Sequence, residues 1–414
     1  MRISFPKYFE AILKKYIKQT FYASTKKEVF ADKEFNSQDL KFFAEGAKDL
    51  SGLFTSDRVE LVANYLNDKR LRAGYLLYFL PLNFCKAQAV LERLPKSFFK
   101  RSKVKILDLG SGPGTFTLGY IDYLSRREGA SKTEKHEIHL LSLDQNYHIV
   151  RDAQNLHEEL IKNLKAKGYN YRLIHQARTF DLRRGKPDTL LKNDQYDLII
   201  VSNFLNEWRG ATAEEKVKFL EKIYQRHLST DGYLILMEPA LQKSTRDLME
   251  VRDHILHRKS LHVYAPCLHA KPCPMLIATQ RDWCHFYKEW EKPDFIGSLD
   301  KVLKNDNQFL KYAYAIFTSK AVNEVDSLPI KKDKPQLYRA VSNLMGSKGK
   351  SEIVVCGPAG RWHVTRQDKN ESKLNQALDS LKRGDLILVP QIPNRTFNND
   401  GEVKVEKTDR IEKA

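Results

Sequence analysis

Three glycines and a carboxylate stand where an apolar segment of the chain ends. Residues Lys105–Leu109 have the composition of a buried strand, which carries Asp108 and leads into Gly110, Gly112 and Gly114. Glycine has no Cβ atom, so the backbone can turn sharply here and approach a ligand closely. The helix expected after the loop directs its free N–H groups to the same place. The G-x-G-x-G spacing predicts a ligand-binding loop and differs from the G-x-G-x-x-G of dinucleotide-binding proteins.

This loop resembles motif I of the class I S-adenosylmethionine-dependent methyltransferases. The resemblance implies that the loop packs against the methionine part of the cofactor, with Asp108 near its amino group. Asp144 ends the second predicted strand, where an acid can accept hydrogen bonds from both ribose hydroxyls. Asp181 follows the third strand, and we expect it to contact the adenine amine. The alternative is a structural glycine turn in an unrelated α/β protein.

No complete catalytic constellation for methyl transfer is visible in the sequence. The segment Ser202–Trp208 after the fourth strand lacks the prolines of adenine- and cytosine-amine methyltransferases. It also lacks the cysteine nucleophile that carbon-5 cytosine methyltransferases need. Asn203 and Glu207 are the remaining catalytic candidates, and Glu207 is equally compatible with a solvated or helix-capping acid. The sequence predicts a cofactor site that serves either methyl transfer or a non-catalytic role.

Four of the five cysteines lie in segments without helical or strand periodicity. Cys267, Cys273 and Cys284 have the spacings C-x5-C and C-x10-C, and Cys356 follows 72 residues later. This is neither the paired CxxC pattern of a zinc ribbon nor the three-cysteine motif of radical enzymes. Four thiolates can still close around zinc or an iron–sulfur cluster, and four ordinary buried thiols are the alternative. Cys85 lies in an apolar helical stretch and is expected to be a core thiol.

Short apolar segments alternate with polar helical stretches between residues 104 and 240, which is typical of a parallel sheet with helices on both faces. The predicted strands are Val104–Leu109, Ile138–Leu143, Tyr171–Phe180, Tyr196–Ser202 and Tyr233–Glu238. Three further short strands are expected at Glu352–Cys356, Trp362–Thr365 and Asp385–Val389. The predicted fold class is therefore α/β, with a Rossmann-like class I methyltransferase domain.

The chain divides into four predicted regions. A helical N-terminal region covers residues 1–100, with a break or kink in the helix near Pro81. The Rossmann-like S-adenosylmethionine-binding domain covers 101–320 and contains a cysteine-bearing insertion at 260–290. A small β-rich domain is expected over 335–394, and a disordered polar tail over 395–414.

Composition favours a polyanionic partner. The 414 residues include 70 Lys and Arg against 52 Asp and Glu, a net charge of +18. Nucleic acid is the commonest such partner, and a basic surface without a partner is the alternative. No apolar run approaches the ~18–20 residues of a membrane span, so we expect no membrane contact. The N-terminal segment has neither a secretory h-region nor an Arg- and Ser-rich presequence, which favours the cytoplasm, with the mitochondrial matrix as alternative.

The glycine loop and the scattered cysteines together resemble the mitochondrial small-ribosomal-subunit assembly proteins of the methyltransferase-like class and their bacterial relatives. The resemblance covers roughly residues 60–390. It is carried by Ile106–Thr115, Gly232–Pro239 with Arg252 downstream, Tyr264–Pro274, Asp282–Phe286 and Ile353–Arg361. It implies a [4Fe–4S] cluster held by Cys267, Cys273, Cys284 and Cys356. It also implies binding to small-subunit rRNA or to a small-subunit precursor, and we expect a monomer.

Three functions follow from these observations. The first is an iron–sulfur-containing, S-adenosylmethionine-binding methyltransferase-like protein that acts on rRNA or on small-subunit assembly. The second is a non-catalytic assembly factor, and the third is a small-molecule methyltransferase with a structural zinc. For the first two, we expect the N-terminal helices and a basic C-terminal segment to contact RNA phosphates. The basic residues of that segment are Arg339, Lys348, Lys350, Arg361 and Arg366.

Overall fold

The computed structural model describes residues 3–21, 35–55, 65–328, 337–389 and 401–414. The chain divides into two compact units. The first consists of Met1–Gly210, Arg226–Leu234 and Lys288–Leu310, and the second of Ala211–Gln225, Ile235–Tyr287 and Lys311–Ala414. No helix in the described ranges has the length and apolar character needed to cross a membrane.

The N-terminal helices belong to the same unit as the glycine loop. They are α1 (Lys7–Phe21), α2 (Ser37–Thr55), α3 (Lys69–Gly74) and α4 (Leu80–Leu91). A π-helical turn, Tyr75–Phe79, separates α3 from α4. Pro81 cannot donate the N–H that a continuous α-helix needs, and its ring would clash with the carbonyl one turn earlier. The expected distortion near Pro81 is therefore confirmed, and the wider turn accommodates it.

A nine-stranded sheet has the order β1-β8-β9-β6-β5-β2-β3-β4, with β7 paired to β9. Its strands are β1 (Ile3–Ser4), β2 (Lys103–Leu109), β3 (His136–Asp144), β4 (Tyr171–Thr179), β5 (Tyr196–Ser202), β6 (Leu228–Pro239), β7 (His262–Ala265), β8 (Phe286–Glu291) and β9 (Phe309–Thr318). Strands β4, β3, β2 and β5 pair in parallel. The chain moves outward in one direction from β2 to β4 and in the other from β5 to β6, which is the doubly wound Rossmann arrangement. The predicted fold class is confirmed.

Helices connect these strands and place their N-termini near the strand ends. They are α5 (Thr115–Arg126), α6 (Tyr147–Ala166), α7 (Asp188–Leu191), α8 (Ala213–His227), α9 (Gln242–His257), α10 (Pro274–Ala278) and α11 (Asp294–Leu303). Because β2 and β5 continue into connections that run in opposite directions, a crevice opens at their carboxyl ends.

The C-terminal strands form a seven-stranded sheet of order β15-β13-β12-β10-β14-β16, with β11 paired to β12. They are β10 (Leu337–Ala340), β11 (Met345–Ser347), β12 (Lys350–Gly357), β13 (Gly360–Gln367), β14 (Leu386–Leu388), β15 (Gly401–Val405) and β16 (Glu412–Lys413). Its core is built around Trp362, which is fully buried among aliphatic side chains. The expected β-rich C-terminal region is therefore confirmed.

The predicted disordered tail is wrong for residues 401–414, while 395–400 lie outside the described residues. Strand β15 pairs in parallel with β13. Val403 and Val405 alternate with exposed polar residues and enter the core around Trp362, together with Ile411. Burial of these apolar side chains favours an ordered edge strand over a solvated tail.

The predicted domain boundaries also differ from the two units. Residues of the cysteine insertion share a small core with the C-terminal sheet rather than with the glycine-loop region. In that core Met249, Cys273 and Met275 pack with Val341 and Val354. Long-range apolar packing of this kind leaves no signature in local sequence.

The proposed basic RNA-binding segment is wrong for its three arginines, which are buried. Each guanidinium forms an internal ion pair: Arg339 with Glu324 at 2.6 Å, Arg361 with Asp282 at 2.7 Å and Arg366 with Asp379 at 2.7 Å. A buried, paired arginine is unavailable to phosphate. Among the residues named for that surface, Lys348 is exposed and Lys350 is half-buried beside Glu352.

Candidate cofactor pocket and thiol cavity

A cavity lies at the carboxyl ends of β2, β3 and β5 in the first unit. This is the position at which doubly wound sheets bind ligands. The cavity brings together most of the site residues expected from the sequence. They are Asp108, Gly110, Gly112, Asp144, Asp181, Asn203 and Glu207.

All three glycines of the loop have left-handed backbone conformations, with φ of +67° at Gly110, +53° at Gly112 and +72° at Gly114. Two of them are also required by packing. A Cβ at Gly110 would lie 2.5 Å from the ring of Phe204, and one at Gly114 would lie 2.3 Å from the ring of His157. The protein itself therefore occupies the space that side chains at these two positions would need.

Gly112 is different because it faces the cavity. The nearest atom to a Cβ at this position is the Tyr75 hydroxyl oxygen, at 3.9 Å. The Gly112 N–H donates to the Asp144 carboxylate at 2.9 Å, and the Asn146 N–H donates to the other oxygen at the same distance. Asp144 thus fixes the glycine loop to the end of β3. Burial raises the pKa of Asp144 above its usual value.

Asp108 is buried at the end of β2, with 1% of its surface exposed. Its Oδ2 atom has no hydrogen-bond partner among the described residues. Burial, followed by the nearby Asp144, raises the pKa of Asp108 to about 8, and a hydrogen bond from Thr117 opposes this effect. Buried polar atoms are almost always satisfied, so this oxygen indicates a missing partner.

Glu207 ends a short 3-10 helix, Leu205–Glu207, that follows β5. The hydroxyl of Tyr65 donates to its Oε1 atom at 3.2 Å. Burial and the charge of Asp144 raise the pKa of Glu207 to about 7, although Tyr65, Arg183 and Arg209 act in the opposite direction. The cavity therefore contains a third carboxyl group that is half-protonated near neutral pH.

Asn203 and Asp181 lie at the edge of the cavity. Asn203 has a left-handed φ of +54°, which asparagine tolerates better than most residues, and its amide donates to Ser202 Oγ at 3.3 Å. Asp181 accepts the Arg183 backbone N–H at 2.9 Å. The Arg183 guanidinium donates to Gln145 Oε1 at 2.6 Å.

Sequence reasoning missed the tyrosines of this cavity. Tyr65 and Tyr75 precede the Rossmann-like domain and carry no motif, so only the fold reveals that they line the same cavity. Burial raises the pKa of both hydroxyls, so they remain neutral hydrogen-bond donors.

A second cavity lies in the second unit and is lined by all four clustered cysteines. Burial raises the pKa of the Cys273, Cys284 and Cys356 thiols, and the neighbouring thiols raise them further. Cys85 is fully buried in α4 of the first unit, away from this cavity. Within the described ranges, no group of three or more His, Cys, Asp or Glu residues is arranged to hold a metal ion.

Arg252 on α9 forms hydrogen bonds to the backbone of the loop that carries Cys267 and Cys273. Its guanidinium donates to the carbonyl of Lys271 at 2.6 Å, to the carbonyl of His269 and to Asp253 at 2.6 Å. Asp253 in turn accepts the Cys273 backbone N–H at 2.8 Å. Arg252 is 3% exposed and lines the cavity, yet its Nε atom has no partner in the part of the chain that the structure describes.

His269 also lines the thiol cavity, with Nε2 at 3.6 Å from Cys356 Sγ. Burial and the nearby Arg252 lower the pKa of His269 to about 3, so the imidazole is neutral. The sequence analysis assigned no role to His269 or to the buried guanidinium. A signal existed for Arg252, which lies at helical spacing from the buried Leu248 and Ile255, where an apolar residue is expected.

Comparison with known proteins gives one family and several distant structural likenesses. The family model described as mitochondrial small ribosomal subunit Rsm22 matches residues 70–387. No curated protein matches the chain.

Several similar solved structures are described as S-adenosylmethionine-dependent methyltransferases. A Listeria monocytogenes protein described as class I is 14% identical, with a TM-score of 0.35 over 78% of this chain and 88% of its own. A Thiobacillus denitrificans enzyme solved with S-adenosyl-L-homocysteine is 12% identical, with a TM-score of 0.30 over 57% of this chain and 91% of its own. A Geobacter sulfurreducens enzyme with the same ligand is 14% identical, with a TM-score of 0.30 over 58% and 91%. The fold assignment rests on the strand order, not on these values.

Proposed function

Because this chain belongs to the Rsm22 family of mitochondrial small ribosomal subunit proteins, we propose that it binds S-adenosylmethionine and acts on the small ribosomal subunit. In this proposal it is an iron–sulfur-containing, methyltransferase-like protein whose target is small-subunit rRNA or a precursor of the subunit. The family description favours the mitochondrial alternative over the cytoplasm.

The acid-lined cavity is the observation that carries cofactor binding. S-adenosylmethionine has an ammonium group, a sulfonium centre, two ribose hydroxyls and an adenine amine. The unpartnered Asp108 oxygen suits the ammonium group, and Asp144 at the end of β3 suits the ribose. Asp181 stays our candidate for adenine. The free N–H groups at the start of α5 and the left-handed glycine loop support the methionine part.

The thiol cavity supports a [4Fe–4S] cluster held by Cys267, Cys273, Cys284 and Cys356. In such a cluster each thiolate binds a different iron, so the four sulfurs must surround one space rather than converge on one point. A zinc ion instead needs all its thiolates about 2.3 Å from a single centre, and it stays the alternative occupant of this cavity. The unpartnered Nε atom of Arg252 suits an anionic occupant. Bound, the cluster would cross-link the cysteine loop to β12.

The methyl-transfer step itself stays a prediction. Asn203 and Glu207 line the cavity and are the candidates for contact with a methyl acceptor. A carboxyl with a pKa near 7 is suited to accept a proton at physiological pH. A non-catalytic assembly factor would keep the pocket and the cluster but transfer no methyl group.

Three measurements on anaerobically purified protein test the proposal. Calorimetry should show S-adenosylmethionine binding, and iron analysis should give four irons per chain with a broad absorption band in the blue–violet region. Co-sedimentation should show binding to small ribosomal subunits that weakens steeply with salt, because lysine and arginine contacts to phosphate release counterions. Absence of cofactor binding, or colourless protein with one zinc per chain, would contradict the corresponding part. Radiolabelled methyl transfer to rRNA separates the enzyme from the non-catalytic factor.

A further inference from the structure

We infer that the Glu207 carboxylate pairs with the positively charged sulfonium of the cofactor. The pocket therefore prefers S-adenosylmethionine to S-adenosylhomocysteine, and Glu207 releases a proton when S-adenosylmethionine binds. The inference rests on the proposed cofactor binding and concerns how the same site distinguishes the methyl donor from its demethylated product.

The starting point is an excess of buried acid in one cavity. Asp108, Asp144 and Glu207 all line it, and each is shielded from solvent enough that burial is the main cause of its raised pKa. Asp108 is buried, and Asp144 and Glu207 are half-buried, so holding the three carboxylates together in this cavity is unfavourable unless a cation joins them. S-adenosylmethionine carries two positive centres, whereas S-adenosylhomocysteine has a neutral thioether and keeps only the ammonium.

The three carboxyls are not equivalent. Asp108 has the unpartnered oxygen and adjoins the glycine loop, so it is assigned to the ammonium. Asp144 is held by the N–H groups of Gly112 and Asn146 and ends β3, the ribose position. Glu207 lies after β5 and accepts a hydrogen bond from the Tyr65 hydroxyl. With Asp181 proposed for the adenine amine, Glu207 is the carboxyl that we assign to the sulfonium.

The charges around Glu207 decide its protonation. Asp144 raises the pKa of Glu207, while the Tyr65 hydrogen bond, Arg183 and Arg209 lower it. Tyr75 is neutral, because burial raises its pKa. Asp108, also in the lining, has a pKa of about 8 and is half-protonated near that pH, and Asp181 is the remaining carboxyl of the cavity. In the ligand-free pocket Glu207 is therefore substantially protonated at neutral pH.

The proton balance follows directly. The sulfonium favours the carboxylate, so Glu207–COOH and S-adenosylmethionine give the carboxylate–sulfonium pair and one proton released to solvent. The thioether of S-adenosylhomocysteine has no charge to pair, so Glu207 keeps its proton. Asp108 meets the ammonium of both ligands and contributes equally to the pH dependence of each.

The ratio of the affinities for S-adenosylmethionine and S-adenosylhomocysteine reports on Glu207 alone, because the effect of Asp108 cancels in it. Calorimetry of the full-length protein at pH 6 and pH 8 measures this ratio. If the sulfonium lowers the pKa of Glu207 by about 2 units, the preference for S-adenosylmethionine should rise about tenfold from pH 6 to pH 8. At pH 7, titrations in phosphate and in Tris should show more protons released by S-adenosylmethionine than by S-adenosylhomocysteine. Sinefungin, which carries an amine in place of the methylated sulfur, should behave like the charged ligand.

Two matched variants assign the effect. Glu207→Gln keeps the size and the Tyr65 contact but cannot ionise, so its preference should be independent of pH and lie about tenfold below the wild-type value at pH 6. Asp108→Asn should weaken both ligands by a similar factor and leave their ratio pH-dependent. A variant with a cooperative thermal transition and the circular dichroism of the wild type counts as folded, and if Glu207→Gln does not fold, the wild-type ratio still decides.

A wild-type affinity ratio that is flat from pH 6 to pH 8 overturns the inference while leaving cofactor binding intact. The same conclusion follows if Glu207→Gln retains the pH-dependent ratio or loses only methyl transfer, which would make Glu207 a base for the acceptor. Failure of the proposed function looks different, since neither ligand would then bind at any pH.

Discussion

The two cavities of this protein differ in the sign of the charge buried around them. The pocket of the first unit collects four carboxyl groups, and one oxygen of Asp108 has no partner among the described residues. The cavity of the second unit collects four thiols beside a buried guanidinium, and the Nε atom of Arg252 has no partner there. The acid-lined pocket suits the cationic cofactor, and an anionic cluster is our proposal for the thiol cavity.

The difference also shows in how each site is held together. In the first unit the loop backbone is fixed by protein groups, since Asp144 accepts from Gly112 and the glycines pack against neighbouring rings. In the second unit Arg252 and Asp253 hold the backbone of the cysteine loop. The thiols themselves raise one another's pKa, so as thiolates they would repel until a metal joins them. We therefore expect the pocket to exist without its ligand and the cavity to depend on its own.

The largest effect should come from removing a cluster ligand. Cys356→Ser should abolish iron binding and the blue–violet band, because three remaining thiolates and one hydroxyl cannot hold the cluster stably. Iron content and the absorption spectrum measure this directly. Cys85→Ala is the control, since Cys85 is buried elsewhere, in α4. Full iron in Cys356→Ser, or loss of iron in Cys85→Ala, would show that the ligand set is misassigned.

The next effect concerns the glycine loop. Gly112→Val should weaken S-adenosylmethionine binding by about 100-fold, equivalent to about 3 kcal/mol, because its side chain would enter the cavity. The control is Gly129→Val, which imposes a similar left-handed strain at φ +76° but has open space around its Cβ. Calorimetry of both variants separates occlusion from strain. Equal affinities in the two would mean that Gly112 does not border the cofactor.

Stability of the ligand-free protein should depend on pH through the acidic pocket. The pKa values of Asp108 and Glu207 are higher in the folded than in the unfolded protein. Their contribution to the free energy of unfolding is therefore fully present at low pH and is lost as pH rises toward about 8. Glu207→Gln should therefore stabilise the ligand-free protein at pH 8 by on the order of 2 kcal/mol and have little effect at pH 5. Thermal denaturation at both pH values measures this. Glu128→Gln, at an exposed acid of the same unit, should show no such gain.

The smallest effect is expected from the guanidinium behind the thiols. Arg252→Gln removes a positive charge beside the cluster, so its one-electron reduction potential should fall by on the order of 50 mV, about 1 kcal/mol. A redox titration followed by electron paramagnetic resonance measures the potential. Arg246→Gln is matched, because Arg246 lies on the same helix and also donates to loop carbonyls, at Thr279 and Asp282, but does not line the cavity. An equal shift in both variants would rule out a specific role for Arg252.

The local elements were predictable because their apolar periodicity is strong. The predicted strand Tyr196–Ser202 agrees with β5, and the expected distortion near Pro81 appears as a π-helical turn. Prediction failed where a segment has a polar local sequence but is buried by contacts with residues far away in the chain. The tail after residue 400 looks polar, yet two alternating valines are enough to make β15 when β13 offers a free edge. Arg339 looks like a surface cation, yet a carboxylate and two carbonyls satisfy it in the interior.

The sequence by itself determined the alternation of strands and helices in a Rossmann-like domain, the glycine loop with Asp108, and the four cysteines that can act as ligands. It did so because backbone freedom, strand periodicity and thiol chemistry are properties of single residues and their spacing. Only the tertiary structure decided which side chains surround each cavity. Tyr65 and Glu207 are 142 residues apart and share a hydrogen bond, and His269 and Cys356 are brought within 3.6 Å across 87 residues. The charge of a buried site is a sum over such distant neighbours, and no local pattern contains it.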